Sequence, residues 1–263
     1  MNRISVVIIT KNEEENLSRC LDSVRWADEI IVVDSKSTDR TLEIAEQYGA
    51  KIFRPEWRGF GPAKQEGVRR AGGDWILSID ADEVVAPELA QEIKAVTLTD
   101  DGIIGYYMPR RTQFLGRWIN HCGWYPGWVL RLFRKDSGDF DDALVHEKVI
   151  VKGNTARLKH DLLHYSFPTI DVYLEKQWEY AELGAQQAFR GGRRSGALAV
   201  VVRPLASFVK HYVLKRGFLD GIEGFLISAL AAYYVMVKYA KLRNLAQQSK
   251  PMALEETNTD ADN

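Results

Sequence analysis

The chain opens on a short β-branched run, Ile4-Ser5-Val6-Val7-Ile8-Ile9, closed by the polar stretch Thr10-Lys11-Asn12-Glu13. An apolar run of this length with polar closure predicts a central strand of a parallel sheet covered on both faces. Asn16 to Val24 follows with apolar residues at Leu17, Leu21 and Val24, which is helical spacing. Glu29 to Val33 forms a second strand pattern ending at Asp34. Ser37-Thr38-Asp39 then leads into a helix through Leu42, Ile44, Ala45 and Tyr48, with Gly49 at its end. Lys51-Ile52-Phe53 predicts a third strand and Ala63 to Ala71 a helix stopped by Gly72-Gly73. Trp75 to Ile79 predicts a fourth strand, ending at Asp80.

This alternation predicts an α/β fold with a doubly wound, mostly parallel sheet, whose ligands bind beyond the carboxyl ends of the strands. The clusters Thr10 to Glu13, Asp34 to Asp39 and Asp80 to Glu83 all fall at such ends and are expected to converge on one crevice. Pro87 to Val96 reads as a further helix and Ile103 to Met108 as a strand. From Arg110 to Leu163 the pattern is irregular, with strand-like pieces at Val129 to Phe133, Val145 to Val151 and Thr155 to Leu158, expected to close over the crevice. From Thr169 onward the chain is helical in character. The domains expected are 1–165, nucleotide-binding and catalytic; 166–248, helical and membrane-associating; and 249–263, a disordered acidic tail.

Composition narrows the function. Across 263 residues, 35 Lys and Arg face 36 Asp and Glu, so no global field favours nucleic acid as a partner. Two cysteines, Cys20 and Cys122, do not make a disulfide framework or a cysteine-rich zinc site, and a reducing, cytoplasmic setting is expected. The first apolar run is shorter than the core of a signal peptide. There is no Gly-x-Gly-x-x-Gly and no Gly-x-x-x-x-Gly-Lys-Ser/Thr, which counts against dinucleotide oxidoreductases and phosphate-loop NTPases.

Asp80-Ala81-Asp82 sets two carboxylates at a strand end, where like charges need a counter-ion. A divalent cation, Mg²⁺ or Mn²⁺, bridging to phosphate oxygens would supply it. A bare Asp-x-Asp also occurs in surface turns, so the other strand ends matter. An acidic group facing a nucleotide edge, with a metal on the diphosphate, fits a sugar nucleotide.

The ordered segments SVVIITKNEEENL, EIIVVDSKSTDRT and GDWILSIDADE resemble the family 2 inverting glycosyltransferases, which have the GT-A fold, over roughly residues 1–110. The continuation GRWINHCGWYPGWVLRLFRK, DDALVHEKV and LKRGFLDGIEGF resembles bacterial lipopolysaccharide core glycosyltransferases that add β-1,4-glucose to core heptose. The resemblance implies a donor site of Thr10, Asn12, Glu13 and Asp34 around a UDP-sugar, with Asp80 and Asp82 at the metal and diphosphate. Many relatives carry Asp-Asp where this chain has Asp34-Ser35. Lys64 stands where the family often has a basic residue near the diphosphate; a solvated helix lysine is the other reading. Inversion needs a carboxylate base for the acceptor hydroxyl. Glu147 is favoured over Asp141 and Asp142, with His146 beside it as either a further metal or phosphate ligand or a hydrogen-bonded structural histidine.

Trp118, His121, Trp124 and Arg131 lie in a stretch rich in aromatic and basic residues and are the candidate acceptor site for a lipid-linked phosphorylated oligosaccharide. Packing of the tryptophans against the sheet is the alternative. His160 and His164 would share a face only on a helix, and the local pattern is not helical. Between Glu182 and Asp220 stand seven cations and no acid, beside apolar stretches that include the 14 uncharged residues 224–237. That run is shorter than the roughly 17–25 residues of a membrane span. A peripheral helix on an anionic surface, at the cytoplasmic face of the inner membrane, is expected, with a helical hairpin packed on the catalytic domain as the alternative.

Overall fold

A computed structural model describes residues 2–140 and 149–249. The chain divides into two compact units, Met1–Pro168 and Thr169–Asn263. In the first, β1 (Ile4–Thr10), α1 (Leu17–Ser23), β2 (Glu29–Asp34), α2 (Thr41–Gln47), β3 (Lys51–Phe53), α3 (Phe60–Arg70) and β4 (Trp75–Asp80) alternate as the pattern predicts. They are followed by β5 (Glu83–Val85), α4 (Pro87–Thr97), β6 (Ile103–Phe114), β7 (Arg117–Trp118) and β8 (Gly127–Arg134). β9 (Gly138–Phe140), β10 (Val149–Val151), β11 (Asn154–Arg157) and β12 (Leu162–Phe167) complete the unit.

One large sheet runs β3-β2-β1-β4-β8-β6-β12-β5, with β7 and β11 paired to β6; β9 and β10 form a separate ribbon. The strands β3, β2, β1 and β4 are parallel, whereas β8 is antiparallel to both β4 and β6. The sheet is therefore mixed: a parallel half, β3-β2-β1-β4, is joined through the antiparallel β8 to β6, which pairs in parallel with β11 and β12. β1 is buried on both faces because alternate residues serve two cores. Val6 and Ile8 pack with Leu17 and Leu21 of α1 and Ile44 of α2, while Val7 packs with Ala63 and Val68 of α3.

Two expectations for residues 110–163 are corrected. The strand expected at Ile103 to Met108 continues to Phe114, through Arg110, Arg111, Thr112 and Gln113. The stretch to Leu163 expected to close over the crevice supplies strands of the main sheet instead: Val129 to Phe133 in β8 between β4 and β6, Thr155 to Arg157 in β11 on β6, and Leu162-Leu163 at the start of β12 between β6 and β5. In β6 and β12, polar side chains hide the strand pattern, and their partners come from distant segments: Arg110 reaches Glu83 and Thr112 meets His164. Of the strand expected over Val145 to Val151, only Val149–Val151 lies among the described residues.

The second unit contains α5 (Ile170–Arg190), α6 (Ala197–Val209) and α7 (Gly221–Gln248). Thr169 caps α5 by accepting the Val172 N–H at 3.3 Å. α6 continues as a π-helical turn, Lys210–Leu214, and a 3₁₀ turn, Gly217–Asp220, leads into α7. Ala197–Leu214 and Gly217–Gln248 are both long and apolar enough to cross a membrane by length and composition. The 14-residue run counted in the sequence is only the middle of α7, which continues helically through Glu223 on one side and Lys238 on the other.

Candidate active site

The parallel register does the first work of assembly. Thr10 pairs with Asp34 across β1 and β2, and Ile9 pairs with Asp80 across β1 and β4. The polar strand ends thus lie side by side. Asp34 is fully buried and accepts the Thr10 hydroxyl at 3.3 Å and the Ser37 N–H at 3.1 Å, with the exposed Arg54 guanidinium 3.3 Å away. Asn12, in the left-handed conformation that Asn tolerates, ties the first turn to the second. Its N–H donates to Ser37 Oγ and its side-chain oxygen accepts the Thr38 N–H, both at 2.8 Å. The Glu13 N–H donates to Thr41 Oγ1, also at 2.8 Å, and its carboxylate accepts from Asn16. The register and these bonds bring Thr10, Asn12, Glu13 and Asp34 together at one edge of the sheet.

Asp80 is held by cations of the protein itself. Lys64 Nζ lies 2.8 Å from one carboxylate oxygen and Arg131 Nη2 2.5 Å from the other. The same Arg131 nitrogen reaches Glu83 at 2.7 Å, and Arg110 reaches Glu83 at 3.2 Å. Glu83 also accepts the Asp80 N–H at 3.0 Å, closing the Asp-Ala-Asp-Glu turn on itself. Burial by itself would raise the Asp80 pKa, but Arg131 and Lys64 hold it well below the usual carboxylate range. Burial likewise works to lower that of Arg131, and Asp80 and Glu83 more than reverse it. Lys64, only 2% exposed, is not a solvated helix lysine.

Asp82 faces elsewhere. Its Oδ2 lies 3.2 Å from His164 Nε2, while His164 Nδ1 lies 3.3 Å from Thr112 Oγ1. The Asp82 carbonyl accepts the Tyr165 N–H at 2.9 Å, which pins this turn to β12. Cys20 sits under the turn, its Sγ 3.6 Å from the Asp80 carbonyl oxygen. Burial first, and then Glu83, Asp82, Asp80 and Glu13, push its thiol pKa up.

The residues expected to hold the acceptor are placed differently from one another. Arg131 is 8% exposed and committed to Asp80 and Glu83 rather than to an open surface. Trp118 packs edge-on to Tyr165 at 5.1 Å, and Trp124 packs against Phe114 and Phe167 at 6.0 and 5.7 Å. Both are half-buried. The His121 carbonyl accepts the Trp124 N–H at 3.0 Å in the turn before β8. Glu147, Asp141, Asp142 and His146 lie outside the described residues.

Sequence reasoning gave Glu83 no role beyond its place in the Asp80 to Glu83 cluster, and it missed Arg110 and the partnership of His164. Strand pairing opposes His164 to Glu83 on one side and to Thr112 on the other. A period-2 reading of Leu162-Leu163-His164-Tyr165-Ser166-Phe167 would have exposed it. His160 is separate, with its Nδ1 2.8 Å from Glu92. Among the described residues, no cluster of three or more His, Cys, Asp or Glu side chains is arranged to hold a metal. Asp82 and His164 provide two adjacent oxygen and nitrogen donors.

Residues 5–143 match the family described as glycosyl transferase family 2. An uncharacterized glycosyltransferase of Rickettsia felis is 31% identical over 269 residues, covering 95% of this chain and 93% of the relative. The lipopolysaccharide core biosynthesis glycosyltransferase LpsC of Rhizobium meliloti is 29% identical, covering 91% of each chain. Among solved structures, glucosyl-3-phosphoglycerate synthase from Mycobacterium tuberculosis with Mg²⁺ and UDP is similar at 30% identity and a TM-score of 0.38. That alignment covers 42% of this chain and 44% of the synthase. Residues 1–349 of TarS from S. aureus, in complex with UDP-GlcNAc, align at 14% identity and a TM-score of 0.48 over 94% of this chain and 92% of that one. The ordered strand-end acids brought to one edge by the parallel register, and a family match over residues 5–143 that includes those strands, lead to one conclusion: this chain belongs to glycosyl transferase family 2.

Proposed function

We propose that the protein is an inverting glycosyltransferase that moves a sugar, glucose by its resemblance, from a UDP-sugar to a lipid-linked phosphorylated oligosaccharide, the heptose of a lipopolysaccharide inner core. The observation that carries this reading is the shared edge of Thr10, Asp34 and the Asp80–Asp82 turn. Asp34, with Thr10 and the Asn12–Glu13 turn, receives the nucleoside by accepting its hydrogen-bond donors. Asp82 and His164 would hold a divalent cation, Mg²⁺ or Mn²⁺. When bound, it would supply charge neutralisation for the leaving diphosphate. Lys64, already beside Asp80, adds a fixed positive charge at the same edge.

Glu147 takes the proton of the attacking acceptor hydroxyl, on the sugar face opposite the leaving group. The similarity to LpsC over most of both chains supports a core-type acceptor. Work on such an acceptor places the protein at the cytoplasmic face of the inner membrane.

Incubation with labelled UDP-sugars, Mg²⁺ or Mn²⁺, and either core oligosaccharide or polyprenyl phosphate tests the reading. Transfer to core heptose with inversion of the anomeric centre is expected. Glu147→Gln is expected to lower kcat by about 10²–10⁴-fold while donor binding survives, and Asp82→Asn to abolish transfer. Full turnover in Glu147→Gln moves the base to Asp141 or Asp142. Transfer to polyprenyl phosphate alone replaces the acceptor, and no transfer or donor hydrolysis under any condition makes the chain a nucleotide-sugar-binding adaptor.

A further inference from the structure

α6 has two unlike sides. Along one it packs on α7, where Phe208 and Tyr212 stand edge-on to Phe225 at 5.8 and 5.9 Å and the Arg203 guanidinium lies 4.7 Å over the Tyr239 ring. Along the other, Leu198, Val201, Val202, Leu205 and Val209 recur at spacings of three, one, three and four residues, which is one continuous stripe on a helix. All five are exposed, Leu198 to 75% and Leu205 to 64%, and no residue of Ala197–Leu214 is buried. The stripe continues into the turn after α6, where Val213, Leu214, Phe218 and Leu219 are each at least half exposed. Apolar side chains in such a row need a cover.

The charges identify that cover. Arg193 and Arg194 precede α6, Lys210, Lys215 and Arg216 follow it, and no acid occurs between Glu182 and Asp220. Cations at both ends of an apolar stripe complement an anionic leaflet, where each contributes favourably near the surface. They also decide the orientation. Arg203 and Pro204 lie at the centre of Ala197–Leu214, so a helix crossing the bilayer would carry a guanidinium to about its midplane. A helix lying in the interface keeps Arg203, seven residues before Lys210 and on the same side as it, in water while the stripe faces the acyl chains.

We infer that α6 and the turn after it are a membrane-docking element that lies in the plane of an anionic leaflet, with Leu198, Val201, Val202, Leu205 and Val209 inserted. This rests on the reading that the protein works on a lipid-linked acceptor, and it supplies the surface by which the enzyme reaches one.

Vesicle flotation of the full chain tests it, with phosphatidylcholine alone or mixed with phosphatidylglycerol. Binding to the mixed vesicles only, lost at high salt, is expected; Leu205→Glu with Val209→Glu lowers the bound fraction at least about tenfold. Equal binding to both vesicles, or none to either, overturns the inference. So does a double variant that floats normally while an oligomer of the parent chain becomes monomeric, since the stripe would then cover a second copy. Orientation is read from single cysteines at Leu198, Leu205 and Val213 carrying a fluorophore quenched by brominated lipids; both native cysteines are buried. Equal, shallow depth at all three is expected, and a deep Leu205 between shallow ends overturns the in-plane arrangement. Turnover on delipidated core oligosaccharide separates the two readings. The double variant keeps it if the inference holds; a parent chain that floats but transfers to no acceptor overturns the function and leaves the docking element standing.

Discussion

Arg131 bridges the carboxylates of Asp80 and Glu83, which would otherwise repel each other between the end of β4 and β5. Its role follows from burial: an isolated charge in such a place is costly, and a paired one is held rigidly. Arg131→Met removes the partner of both Asp80 and Glu83 and is expected to destabilise the fold by roughly 3–5 kcal/mol, read as a lower urea midpoint. A midpoint unchanged in that variant would mean that Lys64 and Arg110 suffice as counter-ions. His164→Ala is argued from its place beside Asp82. It is expected to weaken Mn²⁺ binding to the protein, followed by the thermal shift that the cation induces, by at least about tenfold. The acids of this site stand out in the sequence because they follow strands directly. Their partners do not, since Lys64, Arg131 and His164 come from three other elements whose local patterns say nothing of Asp80 or Asp82.

At the scale of elements, α3 is set against the sheet by a missing side chain. A Cβ on Gly67 would stand 2.4 Å from Val7 Cγ1 and 3.0 Å from Val33 Cγ2, both buried in the core. α3 therefore approaches β1 and β2 as closely as its backbone permits, and Lys64, one turn earlier, is carried to Asp80. Gly67→Ala overpacks this contact and is expected to cost about 1–3 kcal/mol in a urea titration. It is also expected to raise KM for the donor, because α3 must lift and take Lys64 with it. The strands β1, β2 and β4 were legible because they are apolar and closed by turn residues. β12 and the second half of β6 were not, since Arg110, Thr112 and His164 satisfy their polar atoms across the sheet and so occupy positions where a local reading expects apolar residues.

Across the first unit, the end of the parallel strands opposite Asp34 and Asp80 is fastened by one acid. Glu29 begins β2 and accepts from Ser5 Oγ of β1 at 2.5 Å, from the Gly72 N–H before β4 at 2.7 Å and from Lys51 Nζ of β3 at 2.5 Å. Burial works to raise its pKa, but these bonds from Gly72, Lys51 and Ser5 outweigh it and bring it down to about 2 from 4.5. A folded-state pKa below the unfolded one contributes stability above pH 4.5 that is lost as the pH falls toward 2. The contribution is up to about 3 kcal/mol. Glu29→Gln is expected to lower stability at pH 7 and to flatten this part of the acid limb, which denaturation midpoints measured from pH 7 to pH 2 would follow. A limb of unchanged steepness would assign the acid sensitivity to other carboxylates.

The sequence by itself determined the alternating half of the fold and the strand ends Thr10–Glu13, Asp34–Asp39 and Asp80–Glu83, because apolar periodicity and turn chemistry act over a few neighbouring residues. It also carried the basic, acid-free stretch that surrounds α6. Tertiary structure alone decided that Asp80 is neutralised by Lys64 and Arg131 while Asp82 meets His164. It alone decided, too, that one face of α6 packs on α7 and the other is left open. Charge pairing and burial depend on which distant segments the sheet and the helices bring within a few ångströms, and no local pattern records that distance.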